Sequence, residues 1–420
     1  MKRAGSLTIR KILASIFFLA TFLVNPTADA ALYSFANHTF TNCSATGNTG
    51  PSQASCRSAY STTWDDSDSN YTVVNGIQRW TAPASGTYRI KALGATGGGV
   101  AGGFYGYGAS IQGDFTLTQG EVLKVLVGQQ GLAVSGYGQG GGGGSFVTRS
   151  DNSALVIAGG GGSMSNGGGE AGSSRTAREC GDASLVTTGK PGCAWAGYGD
   201  AVGAAGTSGG AGGAVSSSWN GYPGSGFLAD ASIGGAKSWT NGSLGGNLTS
   251  YGLGGFGGGG SGGMYGGSGG GGYSGGGASS RHAHGGGGGS FNSGANKVEA
   301  LTSSVAHGSV LVTLISIAIS DTTTTIALPS SFTYRIATNL VATVTAPGKV
   351  TFFANGKRIG GCINVSTISS SSITATCSYK PSLRGQIQIS ATFTPTDTSA
   401  YRVSSSGRFI APVSPRGSRR

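Results

Sequence analysis

Residues 254–277 read GGFGGGGSGGMYGGSGGGGYSGGG. One such run between two domains would be a flexible linker. Further glycine tracts, however, occupy 140–144, 159–162 and 285–289, and a linker needs only one. The tracts are bounded by aromatic or β-branched residues such as Phe146, Tyr265 and Tyr273, and segments of strand character flank them on both sides. Extended glycine helices with three residues per turn can pack side by side because no Cβ intervenes, and their amides and carbonyls can then bond between neighbouring chains. Ordering so much glycine costs entropy, so only a bundle of such helices would hold together. The expectation is a folded insertion of packed polyglycine helices.

Outward from the tract, the glycine is unevenly spread. Of 83 glycines in 420 residues, 70 lie within 94–294 and eight within 301–420. There is no G-X-Y period and little proline, which excludes collagen. Strand patterns surround the insertion: GIQRWTAP (76–83) and TYRIKALGA (87–95) on either side of a Pro-Ala-Ser-Gly turn, then ASIQGDFTL (109–117), EVLKVLVGQQG (121–131), SFVTR and ALVIAGGGG. In the second of these, Tyr88, Ile90 and Ala92 alternate with Arg89 and Lys91, as in a half-buried strand. VLVTLISI (310–317) follows the glycine and is expected to return to the same sheets. The fold class expected is all-β, with a β-sandwich interrupted by the insertion.

The first thirty residues read as a secretory signal peptide. Lys2, Arg3, Arg10 and Lys11 precede an apolar run from Ile12 to Val24, and Ala28-Asp29-Ala30 offers a small-residue cleavage site after Ala30. The run is short for a membrane span. SVLVTLISIAIS (309–320) is shorter still and reads as strand. Export permits disulfides. Six cysteines allow 15 connectivities, but they fall into three near pairs, and local pairing is the economical choice: Cys43–Cys56, Cys180–Cys193 and Cys362–Cys377. Zinc is disfavoured, because no ligand spacing of the usual kind occurs. Charge is also segregated. Residues 31–320 carry 12 basic and 12 acidic side chains, whereas residues 321–420 carry 11 basic and two acidic. A basic exported domain suits anionic envelope polymers; no nucleic-acid motif accompanies it.

Together these segments resemble a known family. FTNCSATGNTGPSQASCRSAY (40–60), GIQRWTAPASGTYRIKALGATGG, VLKVLVGQQG, GGGGSFV, ALVIAGGGG, the long glycine run and GSVLVTLI occur in the order seen in the glycine-rich extracellular domain of the anaplastic lymphoma kinase and leukocyte tyrosine kinase receptors. The resemblance covers about residues 37–317. It implies a tumour-necrosis-factor-like β-sandwich with inserted polyglycine helices, and a part in binding an extracellular ligand. Kinase signatures are missing, so no kinase activity is expected of a secreted, bacterial-type homologue of this kind. The Cys180/Cys193 segment departs from the receptor pattern, and no ligand-binding residue can be transferred.

After residue 320 the pattern changes to short alternating strands, with turns at Pro347-Gly348, Asn355-Gly356 and Ser382–Gly385. KVTFFANGKRIGG reads as a hairpin around Asn-Gly. Together with ATFTPTDTSAY, it resembles bacterial immunoglobulin-like repeats of surface proteins over about 321–413. The domains expected are therefore a signal peptide (1–30), a glycine-rich domain (31–320), an immunoglobulin-like β-sandwich (321–413) and a basic tail (414–420).

Residues that could carry chemistry are few. Gly259–Gly263 matches G-x-S-x-G literally, but without the strand-to-helix context of a nucleophile elbow. His282-Ala283-His284 and the cluster Asp65, Asp66, Asp68 lack a metal-ligand pattern. Six sequons, at Asn37, Asn42, Asn70, Asn241, Asn247 and Asn364, matter only where a host glycosylates them. The expectation is an exported, non-enzymatic binding or adhesion protein without catalytic, cofactor or metal residues. Its partner would be an extracellular protein or glycan, with envelope-polymer contact through the basic domain, no nucleic acid, and no membrane span after signal cleavage. A structural envelope component is the alternative, and a secreted hydrolase a distant third.

Overall fold

The computed structural model describes residues 31–99, 105–165, 179–193, 202–214, 220–280, 283–398 and 400–416. The signal peptide with Ala30, His282 and residues 417–420 of the basic tail lie outside them. The chain divides into two compact units, one ending at Ile319 and one beginning at Ser320. In both, the strands pair almost wholly antiparallel.

Among the described residues, the first unit has eleven strands: β1 (Asn37–Phe40), β2 (Tyr71–Val74), β3 (Ile77–Thr81), β4 (Gly86–Leu93), β5 (Ala109–Leu117), β6 (Val122–Leu126), β7 (Ser145–Arg149), β8 (Ala154–Ala158), β9 (Phe291–Asn292), β10 (Ala295–Leu301) and β11 (Ser309–Ile317). They form a five-stranded sheet, β1-β11-β4-β5-β10, and a six-stranded sheet, β2-β3-β6-β7-β8-β9. The strand after the glycine, β11, pairs with β1 and β4. The Pro-Ala-Ser-Gly segment does not close a hairpin: β3 and β4 belong to different sheets, so the chain crosses the sandwich there. Between the sheets lie Phe40, Tyr71, Trp80, Tyr88, Ile90, Ile111 and Val310, all buried in one cluster. Arg89 points outward from β4 and pairs with Asp114 on β5 at 2.7 Å. A short helix, α1 (Gln53–Ala59), is capped by Ser52 and places Cys56 against Cys43.

The second face of the six-stranded sheet is also covered, which explains the unbroken apolar run of β8. Leu126, Phe146 and Ile157 pack there against Phe227, Trp239 and Phe256 from the glycine-rich insertion. Phe146 and Trp239 stack at 5.5 Å, and Phe227 stacks on Trp239 at 6.0 Å. The insertion is thereby anchored to the sheet by its few large side chains.

Within the insertion the hydrogen bonds follow a period of three. Gly141 donates to Gly260 O, Gly142 to Gly161 O, Gly143 to Gln129 O and Gly144 to Gly257 O, at 2.8–2.9 Å. The fourth bond returns to the tract that received the first. Likewise Gly160 donates to Gly271 O and Ser163 to Ser268 O, with the two amides between them directed at Ala95 and Gly181. Three residues per repeat, with bonds leaving in three directions, is the geometry of extended glycine helices packed in a lattice rather than of a sheet, whose bonds lie in one plane. Some neighbours run antiparallel, as 160→271 and 163→268 show, and some parallel, as 270→286 and 273→289 show. A Cβ on Gly160 would land on the carbonyl of Gly142, and one on Gly271 on the carbonyl of Gly257. Gly258 differs: it lies in a turn with φ of 83°, and its nearest would-be neighbour is the hydroxyl of Ser225.

The second unit holds β12 (Thr324–Ala327), β13 (Phe332–Thr333), β14 (Thr338–Val344), β15 (Gly348–Ala354), β16 (Lys357–Arg358), β17 (Val365–Ser366), β18 (Ile368–Ser369), β19 (Ile373–Tyr379), β20 (Gly385–Pro395), β21 (Ser404–Ser405) and β22 (Phe409–Ser414). One sheet is β12-β14-β19-β18. The other is β13-β22-β20-β15-β16, with β17 added to β15 and β21 to β20. Phe332, Leu340, Val350, Phe352, Ile389 and Phe393 fill the core, with Cys362 and Cys377 joined inside it. Of the three turns expected here, the Asn-Gly turn joins strands of one sheet, β15 and β16, whereas the Pro347-Gly348 and Ser382–Gly385 turns carry the chain between sheets.

Candidate functional site

The six cysteines form three disulfides, Cys43–Cys56, Cys180–Cys193 and Cys362–Cys377, with Cα separations of 4.8, 5.8 and 5.5 Å. Each closes a local loop, so none ties one unit to the other.

Ser261, Asp65 and Asp68, singled out for chemistry, make structural contacts. Ser261 of the G-x-S-x-G match is fully buried; its hydroxyl donates to Gly234 O and accepts from the Leu248 amide, both at 3.1 Å. Asp65 is buried, and its backbone carbonyl accepts from Arg57 Nε at 2.8 Å, while Asp68 pairs with the same arginine. Burial lowers the pKa of His284. Among the described residues no group of three or more His, Cys, Asp or Glu is placed to hold a metal ion.

A cleft of about 260 Å³ opens instead at the turn end of the six-stranded sheet, where the sandwich meets the glycine lattice. Its walls come from the β2–β3 turn, from β3 and β6, from the β7–β8 turn and from the 3-10 turn Trp239–Asn241. Asn75 and Gly76 both take positive φ, 51° and 77°, as a tight two-residue hairpin turn demands. Asn152, at φ 70°, accepts from Lys124 Nζ at 2.8 Å and from Trp239 Nε1 at 3.2 Å on the same amide oxygen. The 3-10 turn is held from below by Asp230. Although burial alone would raise its pKa, bonds from Ser238, Asn241 and Lys237 hold its carboxyl well below the usual range.

What marks this cleft is its charge. Arg79 on β3 and Lys124 on β6 are directly opposite in the antiparallel register. Like charges in that position repel and weaken the sheet. Thr72 and Thr148 flank them in the row, and among the described residues no carboxylate lines the cleft. Two adjacent cations beside a fixed amide and an indole edge offer the charge and donors that suit one anionic group, and the small volume matches a side chain or a single sugar substituent rather than a whole cofactor. Sequence reasoning missed this pair. Each residue sits on the polar face of its strand, but only the pairing of β3 with β6, past β4 and β5, brings the two together.

A stretch of 99 residues of the chain is 37% identical to the leukocyte tyrosine kinase receptor of Mus musculus, a match covering 22% of this chain and 11% of the receptor. The chain thus spans about a tenth of that receptor's length. No protein-family model matches it.

Proposed function

We propose that the protein is an exported, non-enzymatic binding or adhesion protein, in which the glycine-rich unit presents a recognition face to an extracellular protein or glycan. The observation that carries this reading is the Arg79–Lys124 pair, a repulsive arrangement kept at the mouth of a cleft. An acidic side chain or acidic sugar of the partner would relieve it. The partial likeness to a receptor is in keeping with a binding role. On this reading the first unit is a tumour-necrosis-factor-like sandwich carrying polyglycine helices, and the second an immunoglobulin-like module. The test is a protein and glycan array probed with residues 31–420 and with the Arg79→Gln/Lys124→Gln variant. A saturable partner lost in the variant is expected; a partner retained at full strength would move the recognition face elsewhere.

The mutual bonding of the glycine tracts favours one other reading, a structural envelope component in which the lattice itself is the material. Self-assembly, or co-purification with cell wall without any saturable ligand, would favour it.

A further inference from the structure

We propose that the second unit carries its own binding cleft, for a linear acidic polysaccharide bearing carboxylate or sulfate groups. The cleft holds about 600 Å³, within the range of ligand pockets, and is lined by Lys357, Arg358 and Lys380 with Tyr379, Leu383 and Gln386. The three cations are exposed and, among the described residues, form no ion pair. No carboxylate lines the cleft. Arg335 and Arg384, whose guanidiniums lie over the ring of Tyr334 at 5.2 and 4.9 Å, belong to the same end of the unit, for the Arg335 amide donates to Pro381 O.

Both acidic residues of the unit lie at the opposite end. Gln386 stands at the start of β20, and Asp397 follows its last residue, Pro395. At ~3.3 Å per residue the strand separates them by ~30 Å. Asp321 faces Arg402 at 3.6 Å, beside the Ser320–Tyr401 bridge at that same far end. The unit is therefore a dipole, positive at the cleft, and such a field gathers anionic polymers and orients them on approach.

The backbone that presents two of the cations is fixed. The Asn355-Gly356 turn that presents Lys357 and Arg358 is pinned to β20 by a reciprocal pair: the Asn355 amide donates to Gln388 O, and the Gln388 amide to Asn355 Oδ1, both at 2.8 Å. Ile359 and Ile387 form a buried floor, and Leu383, 67% exposed, stands on the rim. Alternating charge and apolar surface matches a sugar chain, whose anionic substituents project from rings with apolar C–H faces. Single-stranded nucleic acid would call for a row of aromatic platforms, and the cleft offers one ring, Tyr379.

The experiment measures binding of residues 31–420 to immobilised polygalacturonate across a salt series, with neutral dextran, oligodeoxythymidylate and polyphosphate as comparison surfaces. Polygalacturonate binding that weakens with salt is expected. It should fall about 10-fold or more in Lys357→Gln/Arg358→Gln/Lys380→Gln, with a shallower salt dependence. Single Lys380→Glu guards against a misfolded triple variant and should also weaken binding. Arg402→Gln, at the far end, should bind as the unaltered protein does, and the triple variant should keep on the array whatever partner the Arg79–Lys124 cleft captures, which separates this proposal from the reading of the first cleft. Equal binding to dextran, stronger binding to oligodeoxythymidylate or polyphosphate, or a triple variant within about twofold of the parent would overturn it.

Discussion

Gly271 donates its amide to the carbonyl of Gly142 at 2.9 Å, and its own carbonyl accepts from Gly160 at 2.8 Å. Three tracts far apart in sequence thus meet through backbone alone. A side chain at any of these positions would occupy space already filled by a neighbour's carbonyl.

Replacing Gly271 by Val should therefore destabilise the first unit by several kcal/mol, through overpacking together with lost backbone bonds. Gly181→Ala is the control, since its added Cβ would meet nothing nearer than 3.5 Å; it should cost no more than ~0.5 kcal/mol. Thermal unfolding of the two variants tests this. Equal melting temperatures for Gly271→Val and the parent would mean that the tracts are not packed.

Arg79→Glu should stabilise the first unit by ~0.5 kcal/mol, because it replaces a like-charge cross-strand pair with an opposite-charge one. The same substitution should abolish capture of the partner. A gain in chemical-denaturant midpoint together with lost binding is the signature of a residue kept for recognition; loss of both would assign Arg79 a structural part.

His38 is packed edge-on against Phe40, Tyr60 and Trp64, and its pKa is lowered from the ordinary 6.5 to about 4 by burial, with Asp65 opposing. The folded protein resists the proton that the unfolded chain accepts. Stability should thus be lost as pH falls below about 6.5 and level off below about 4. Allowing for partial exposure, the loss is ~1–2 kcal/mol. Urea unfolding at pH 7 and pH 4.5 measures it, and His38→Phe should shrink the difference, leaving the shares of His284 and His307, which burial also lowers.

Removing the Cys362–Cys377 disulfide as a double serine variant should cost the second unit ~2–5 kcal/mol, since its loop of 15 residues restricts the unfolded chain and its sulfurs sit in the core. The first unit should melt unchanged, because no disulfide links the two. Differential scanning calorimetry would show whether one transition moves or both do.

Much of the fold was legible in the sequence because it is written in local patterns. The alternation of Tyr88, Ile90 and Ala92 placed β4, and Asn355-Gly356 placed the β15–β16 turn. Several elements were illegible, some for plain physical reasons. β10 (Ala295–Leu301) is exposed along its whole length and exists through its pairing with β5, so no apolar face announces it. β1 and β2 are four residues each, too short for a period. Pro83–Gly86 reads as a turn, but whether a turn stays within a sheet or crosses to the next depends on partners far along the chain. The same holds for the sites. Composition located the positive charge of the second unit, but register and turn geometry collect it into a cleft. Gly258 lies in the same long glycine run as Gly271, yet its positive φ makes it a turn residue, so backbone strain, rather than collision with a carbonyl, would decide the cost of a side chain there.

The three-way bonding of the glycine tracts has a mechanical consequence. A sheet pulled from its edge yields one strand at a time, each rupture exposing the next. A tract such as 141–144 is fastened to neighbours on three sides, so tension on it is shared among bonds in several directions, and no outer row can peel away first. Drawn out by its ends in an optical trap, the first unit should hold its length until the insertion gives way in one step, then lengthen all at once.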